Sequence, residues 1–167
     1  AIAAIGLSGT FKNSCSSASE DNTSYWDKSL VFSGNTVSAD WYLYSDSACS
    51  TKLLVSKNKY SLDIGDSYTL ADGTSAYKGV LSSESITVTY YNSTYVSEVN
   101  SSSYCGKTDW VINTTKNVSG LTCDNYLQDS PGDKTYIAYL IAGSSLKINH
   151  SKGDNVTSVS STVWTKQ

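Results

Sequence analysis

The sequence contains no arginine, and all 12 of its basic residues are lysines. Proteins that read nucleic acid rely on a basic surface and on the forked arginine side chain, which contacts phosphates and guanine edges. This chain instead carries 15 acidic residues and a formal net charge of −3. We therefore expect no nucleic-acid partner.

Methionine and long apolar runs are absent as well. The opening Ala-Ile-Ala-Ala-Ile-Gly-Leu is compatible with a chain from which a signal peptide has been removed. No apolar run approaches the roughly 20 residues that a membrane-spanning helix needs, so we expect no transmembrane segment. With 39% hydrophobic residues the chain can bury a core, and its 167 residues fit one domain, residues 1–167.

Histidine occurs once, as His150, which leaves few parts for catalysis. A serine nucleophile needs a neighbouring base, and no Gly-x-Ser-x-Gly elbow is present. Most aspartates fall at predicted turns, where their side chains stabilise the backbone without taking part in chemistry. Phosphate-binding glycine motifs and EF-hand loops are missing too. We therefore expect a protein that is not an enzyme and that has no metal site and no resident cofactor.

The four cysteines are Cys15, Cys49, Cys105 and Cys123. In a chain rich in serine and threonine, an even cysteine count is typical of disulfides formed in an oxidising compartment. Of the three pairings we favour the local one, Cys15 with Cys49 and Cys105 with Cys123. Free thiols or a zinc site are the alternative, although no Cys-x-x-Cys pair supports zinc. The cysteines predict a secreted, periplasmic or cell-surface location.

Seven asparagines lie in Asn-x-Ser/Thr sequons and are candidate glycosylation sites. A eukaryotic secreted glycoprotein would use them, whereas a bacterial exported protein would carry the same sequons unused. The 32 serines and 17 threonines also produce some sequons by chance. The seven are Asn22, Asn92, Asn100, Asn113, Asn117, Asn149 and Asn155.

Strand patterns dominate the chain. The β-rich runs at residues 28–33 and 36–44 flank Gly34-Asn35, a dipeptide typical of a tight hairpin turn. In the second run the side chains alternate with the period of two that a strand requires, so Trp41 lies on one face and Tyr42 on the other. Asp72-Gly73 marks a second hairpin. Further extended segments are predicted at residues 52–62, 67–71, 74–81, 84–91, 108–114, 134–142, 145–150 and 160–166.

These segments predict an all-β fold with about eight to nine strands. The spacing at residues 95, 96 and 99 favours one short helix within residues 93–104. Short, evenly spaced strands indicate an antiparallel up-and-down β-barrel, with a β-sandwich as the alternative. A parallel α/β fold is excluded because its crossover helices are absent.

Aromatic side chains are the most informative remaining feature, with 13 tyrosines and 4 tryptophans against 2 phenylalanines. They could simply fill the core of the barrel. Alternatively, they line a pocket, where flat apolar faces with polar tips suit a small hydrophobic, aromatic or conjugated ligand. A row of solvent-facing aromatics would instead favour stacking on carbohydrate. The predicted ligand-binding residues are Trp41, Tyr42, Tyr44, Tyr90, Trp110 and Tyr139.

Two short motifs resemble the lipocalin-like barrels. Residues 7–11, Leu-Ser-Gly-Thr-Phe, are similar to the Gly-x-Trp opening of that family, and Thr-Asp-Trp at residues 108–110 resembles its Thr-Asp-Tyr motif. Phe11 replaces the family's tryptophan, and the arginine that packs across it from the last strand is replaced at best by Lys166. The resemblance implies an up-and-down barrel with an interior pocket for an apolar small molecule.

A second resemblance is to small secreted bacterial domains that open Gly-Thr-Trp. These domains carry Tyr-Ser-Asp-x-x-Cys, here residues 44–49, and Asp-Trp followed by Val-Ser-Gly-x-x-Cys, here residues 109–110 and 118–123.

Three functions remain open from the sequence. The first is a secreted, non-enzymatic protein that holds a small hydrophobic or pigment-like ligand in a barrel pocket. The second is an extracellular carbohydrate-binding or adhesion domain. The third is a structural surface subunit that self-associates by adding the apolar strand at residues 1–7 to a neighbour.

Overall fold

A computed structural model of the chain describes residues 7–18, 20, 22–153, 156 and 158–167. It contains one α-helix, α1 (Ser93–Ser101), and a 3₁₀ turn at Tyr104–Gly106. Within the described residues, no helix combines the length and the apolarity needed to cross a bilayer. The strands are β1 (Gly9–Ser17), β2 (Tyr25–Ser33), β3 (Thr36–Tyr44), β4 (Lys52–Thr69), β5 (Ser75–Tyr90), β6 (Thr115–Asn117), β7 (Thr122–Cys123), β8 (Tyr126–Leu127), β9 (Lys134–Ala142), β10 (Ser145–Ser151) and β11 (Trp164–Lys166).

Nine of the strands form one antiparallel sheet in the order β4–β3–β2–β1–β11–β10–β9–β5–β6. Pairing between β4 and β5 closes the first eight into a barrel and leaves β6 at the outer edge of β5. Neighbouring barrel strands follow one another along the chain, so the topology is up-and-down. The predicted barrel is confirmed, and the β-sandwich alternative is wrong.

The two ends of the barrel differ in the length of their connections. At the short-loop end, the strands are joined by residues 34–35, 70–74 and 143–144; at the long-loop end, by residues 18–24, 45–51 and 91–133. The β2–β3 turn places Gly34 at a φ of 59°, where a glycine avoids the steric cost of a side chain. Gly73, at a φ of 85°, has the same role between β4 and β5, as the two glycine-containing turn motifs predict.

The barrel core lies near the short-loop end. Phe11, Tyr139 and Leu146 have no exposed surface, and Phe11 packs edge-on against Phe32 with ring centroids 5.9 Å apart. Lys166 is the partner of Phe11 across the β1–β11 pairing, and its Nζ lies 5.9 Å from the Phe11 ring centroid. This is the contact that the lipocalin resemblance implies for Lys166. The closed barrel with one short helix is compatible with a lipocalin-like fold.

Residues 91–133 form an insertion between β5 and β9 that contains α1, the 3₁₀ turn and β6–β8. Their apolar side chains form a second core with the end of β5, in which Tyr90 and Trp110 are 3% and 2% exposed. The disulfide Cys105–Cys123 lies in this core, and Cys15–Cys49 joins β1 to the β3–β4 connection. Both predicted disulfides are confirmed.

Five of the predicted segments were wrong in detail. The break expected between residues 62 and 67 is a β-bulge in one continuous strand, because Gly65 and Asp66 together oppose a single residue of β5. Residues 74–81 and 84–91 likewise belong to one strand, β5. Residues 108–114 form no strand, since Asn113 turns the backbone at a φ of 60°. Strand β1 was not predicted, because its run of small polar residues lacks an apolar alternation.

Candidate functional site

The strand register shows which side chains point into the barrel. Opposed residues on neighbouring strands share a face, and Phe32, Val37 and Tyr60 oppose one another in the barrel core. Because side chains on a strand alternate, Trp41 lies on the same inward face as Val37, four residues nearer the long-loop end. Lys28 and Ser56 are the cross-strand partners of Trp41 and face inward with it.

We call this region the barrel mouth and define it by the inward-facing residues of β2, β3 and β4 near the long-loop end: Trp26, Lys28, Trp41, Ser56 and Asn58. Trp41 is 39% exposed although it faces inward. Its ring centroid lies 6.2 Å from that of Trp26 in an edge-to-face arrangement, and the Lys28 ammonium lies 4.6 Å from the Trp41 ring centroid. The mouth thus presents an indole pair beside a cation, an arrangement that favours flat or electron-rich ligands.

The rim beside Trp26 is held by covalent and polar contacts. The disulfide between Cys15 and Cys49 connects β1 to the β3–β4 connection, and these two elements flank β2. In that connection the Asp46 carboxylate accepts hydrogen bonds from the backbone N–H groups of Ser50, at 3.1 Å, and Thr51, at 2.7 Å. The bond from Thr51 lowers the pKa of Asp46 below its ordinary value. The mouth is therefore bordered by a fixed rim.

Deeper on the inward face, two buried polar atoms of the described residues lack hydrogen-bond partners. Asn58 Oδ1 and Ser83 Oγ are buried and have no hydrogen-bond partner among the described residues, and Ser83 is only 3% exposed. Tyr60 lies between them, because it opposes Ser83 and is two residues from Asn58 on β4. A buried polar atom without a partner costs about 1–3 kcal/mol of stability. This region would gain from a ligand that supplies hydrogen bonds.

The end of the insertion passes beside these polar atoms. The Ser83 N–H donates to the Asp133 carbonyl, at 2.9 Å, and the Lys152 ammonium lies 2.5 Å from the Asp129 carboxylate. Lys152 also donates to the Thr135 hydroxyl, at 2.9 Å. Burial raises the pKa of Tyr60, and the negative charge of Asp129 adds to this effect. The Asp129 carboxylate that acts on Tyr60 is thus already paired with Lys152.

Five of the six predicted ligand-binding residues do not lie at the mouth: three are buried in the two cores and two lie on the outer face of β3. Tyr139 is fully buried in the barrel core, where it stacks on Tyr77 with centroids 5.4 Å apart. Burial raises the pKa of Tyr139 to about 12. Tyr90 and Trp110 pack edge-on in the second core, with centroids 5.1 Å apart. Trp41 is the predicted ligand-binding residue that the structure places at the mouth.

Tyr42 and Tyr44 lie on the outer face of β3, with ring centroids 6.4 Å apart. The ammonium groups of Lys52 and Lys57 lie 5.1 and 5.9 Å from the Tyr42 ring centroid, and Lys57 also pairs with Asp40 at 3.1 Å. Burial lowers the pKa of Lys57, but the hydrogen bond to Asp40, the negative charge of Asp40 and the contact with Tyr42 together outweigh this effect, so the net shift is upward. The structure therefore does not bring Tyr42 and Tyr44 together with Trp41.

The sequons fall into two groups. In the first group the asparagine side chain is already hydrogen-bonded. Asn92 caps the N-terminus of α1, Asn100 hydrogen-bonds to the N–H and the carbonyl of Trp110, and Asn149 accepts a hydrogen bond from the His150 N–H. Asn155 lies outside the described residues. The exposed sequon asparagines are Asn22, Asn113 and Asn117.

The strand predicted at residues 1–7 also lies outside the described residues, except for Leu7. The Leu7 side chain is 2% exposed and belongs to the barrel core. Leu7 is therefore engaged within its own chain, and self-association through residues 1–7 stays a prediction.

Sequence reasoning did not find Trp26, Lys28, Asn58 or Ser83. Strand β2 was predicted to begin at residue 28, but it begins at Tyr25. Trp26 therefore fell outside the predicted strand, and its position on the same face as Lys28 was missed. Asn58 and Ser83 gave no signal, because one polar residue in a strand is normally assigned to the outside. Among the described residues, no group of three or more His, Cys, Asp or Glu side chains is placed to hold a metal ion.

No protein-family model matches the sequence, and no curated protein matches it. The geometry of the mouth and the chemistry of its residues are therefore the basis for assigning a function.

Proposed function

We propose that this chain is an exported, non-enzymatic binding protein that holds a small hydrophobic or aromatic ligand at the barrel mouth. One observation carries the proposal: Trp41 faces into the barrel, yet 39% of its surface is open to solvent beside the indole of Trp26. An inward-facing tryptophan at the short-loop end would be covered by the core. At the mouth it leaves an apolar face that a flat ligand can cover.

The polar atoms below the indole pair support the same proposal. Ligand sites are mainly apolar, with a few placed polar groups that orient the ligand. Asn58 Oδ1 and Ser83 Oγ are such groups, because both lack a partner among the described residues. The ligand would then stack on Trp41 and direct a hydroxyl or N–H group toward β4 and β5.

Export is supported by the two disulfides, which form and persist in oxidising compartments. The closed eight-stranded barrel supports the lipocalin-like resemblance, and that resemblance implies an apolar ligand in the barrel. An eight-stranded barrel is about wide enough for one small ligand, so we propose that the barrel holds one ligand per chain.

The proposal is tested with N-phenyl-1-naphthylamine, a neutral aromatic probe whose fluorescence rises in apolar sites. We expect saturable binding, with an affinity at least about tenfold weaker in Trp41→Ala. Tyr42→Ala is the matched control, because it removes the neighbouring ring from the outer face of the same strand. Circular dichroism establishes that both variants are folded. Absence of saturable binding, or equal binding by the two variants, would contradict the proposal.

Mass spectrometry of the native protein purified from its source is the complementary measurement. A bound lipid or chromophore, detected as added mass or as visible absorbance, would support the proposal. A chain that carries no added mass and also fails to bind the naphthylamine would leave it without support.

Carbohydrate binding is the second candidate, because a solvent-exposed tryptophan can stack on the apolar face of a sugar ring. A glycan array separates the two candidates: retention on glycans that Trp41→Ala abolishes would favour carbohydrate, whereas no retention would exclude it. A structural, self-associating subunit remains the third proposal, and a purely monomeric elution on size exclusion would count against it.

A further inference from the structure

A groove crosses the outside of the barrel, on the sheet face opposite to the mouth. Two rows of cross-strand neighbours form its floor: Ser61, Ser82 and Lys134 in one row, and Asp63, Val80 and Tyr136 in the next. The groove has a volume of about 590 Å³ and is bordered at one end by Asn35. We call this region the outer groove. Its lining is polar and charged, unlike the indole pair of the mouth.

An apolar recess of about 210 Å³ continues the outer groove toward the short-loop end. The two share Asp63, Val80 and Tyr136, and the recess adds the aliphatic side chain of Val156. Val156 is 4% exposed, and its carbonyl accepts a hydrogen bond from the Tyr68 hydroxyl at 3.1 Å. The polar groove therefore opens at one end into a small apolar space.

Opposite charges face each other across the outer groove. Asp63 lies on β4 and Lys134 on β9, with β5 between them. Their Cα atoms are separated by two strand spacings, about 10 Å, and by an offset of two residues along the strands, and the two side chains form no ion pair with each other. Lys134 contacts the Ser82 hydroxyl, and neither Lys134 nor Asp63 forms a salt bridge with any other described residue. A ligand that carries both charges would complement both.

We propose that the outer groove is a second binding site, for an apolar amino acid in its zwitterionic form. Its ammonium group would pair with Asp63, its carboxylate with Lys134, and its aliphatic side chain would enter the recess beside Val80 and Val156. Charge-assisted hydrogen bonds at both ends supply orientation, and the recess supplies apolar contact. This site shares no residue with the barrel mouth, so the proposal stands independently of the function proposed above.

The test titrates the whole protein with L-leucine and follows the amide signals of Val80 and Tyr136 by nuclear magnetic resonance. N-acetyl-leucine lacks the ammonium charge and leucinamide lacks the carboxylate. We expect both to bind at least about tenfold more weakly than leucine, because each leaves one protein charge without its partner. Absence of saturable shifts with leucine, or equal binding of the three compounds, overturns the proposal.

Variants of the two charged residues provide the second arm. We expect Asp63→Asn and Lys134→Gln each to weaken leucine binding at least about tenfold. Asp66→Asn, an exposed carboxylate in the bulge of the same strand, and Lys147→Gln, on the outer face of β10, are the matched controls. Loss of binding in a control to the same degree, or retention in Asp63→Asn and Lys134→Gln, would show that local charge at the groove is not what binds leucine.

Discussion

The barrel and the insertion at residues 91–133 are stabilised in different ways. In the barrel, eight strands pair around buried side chains such as Phe11, Tyr139 and Leu146. In the insertion, the strands are two or three residues long, and the chain is held by the disulfide Cys105–Cys123 and by side-chain bonds to the backbone. Regular strand pairing thus stabilises the barrel, whereas individual local contacts stabilise the insertion.

The two regions meet on β5. Ile86, Val88 and Tyr90, near the long-loop end of this strand, form part of the second core, while Leu81 packs against the barrel core. The insertion therefore uses a strand that the barrel has already ordered, and the barrel needs no residue of the insertion to close. We infer a one-way dependence: damage to the barrel core unfolds both regions, and damage to the insertion stays local.

The largest effect is expected from Phe11→Ala. The Phe11 side chain is completely buried, and its truncation removes apolar contacts and leaves a cavity that costs about 3–5 kcal/mol. Chemical denaturation followed by circular dichroism and by tryptophan fluorescence should report one shared, destabilised transition. Val163→Ala, at an exposed position, is the control. Fast hydrogen exchange in the barrel strands while the insertion stays protected would contradict the one-way dependence.

A smaller effect is expected when the insertion loses its disulfide. Cys105→Ser with Cys123→Ser opens a loop with a sequence separation of 18, and a crosslink of that size contributes about 3 kcal/mol. Hydrogen exchange should accelerate in α1 and β6–β8 and remain slow in β2, β3 and β9. Equal acceleration in both regions would show that the barrel depends on the insertion after all.

Asn100→Ala should give a weaker and still local effect. The Asn100 side chain donates to the Trp110 carbonyl at 2.9 Å and accepts from the Trp110 N–H at 2.7 Å. Its loss leaves two backbone groups without their partner and should cost about 1–3 kcal/mol. Hydrogen exchange in the insertion measures the change, with Ser97→Ala on the exposed surface of α1 as the control. A wild-type exchange pattern would show that Asn100 does not hold this segment.

The smallest effect concerns Asp46, whose polar contacts at the rim of the barrel resemble those of the insertion. Hydrogen bonding by the Thr51 N–H holds its pKa below the ordinary value of 3.8. A carboxylate with a lowered pKa contributes stability above its ordinary pKa, and this contribution is lost as the pH falls through the value in the folded protein. Asp46→Asn should therefore flatten the acid limb of a stability profile measured below pH 3.8. An unchanged acid limb would mean that the Asp46 charge does not contribute to the free energy of unfolding.

The barrel could be predicted because its signals are local. Gly34-Asn35 and Asp72-Gly73 define hairpins, and alternation in residues 36–44 and 84–91 defines strands without reference to the rest of the chain. The disulfides followed from the same logic, because both join cysteines that are near in sequence. The bulge at Gly65 and Asp66 could not be predicted, because a glycine next to aspartate is equally typical of a turn.

The site was only partly predictable, because alternation separates two faces without saying which is inside. Trp41 and Tyr42 were correctly placed on opposite faces. Which of the two faces becomes the inside of the barrel depends on closure between strands that are distant in sequence. Trp110 was assigned to a strand, whereas it packs from an irregular segment whose position depends on Asn100 and on the 3₁₀ turn. Polar residues such as Ser83 become notable only when burial removes them from water.

Closure of the barrel has a consequence for how the chain is made. Strand β11 is three residues long, and two residues of β1, Phe11 and Lys12, pair with it. On a ribosome, β1 emerges early and pairs with β2, but its other edge must wait for residues about 150 positions later, on the order of 10 s at typical rates of synthesis. Throughout that interval β1 presents an open edge that can pair with another chain. Pairing with β11 therefore completes the barrel and also ends the interval in which this edge of β1 is open to another chain.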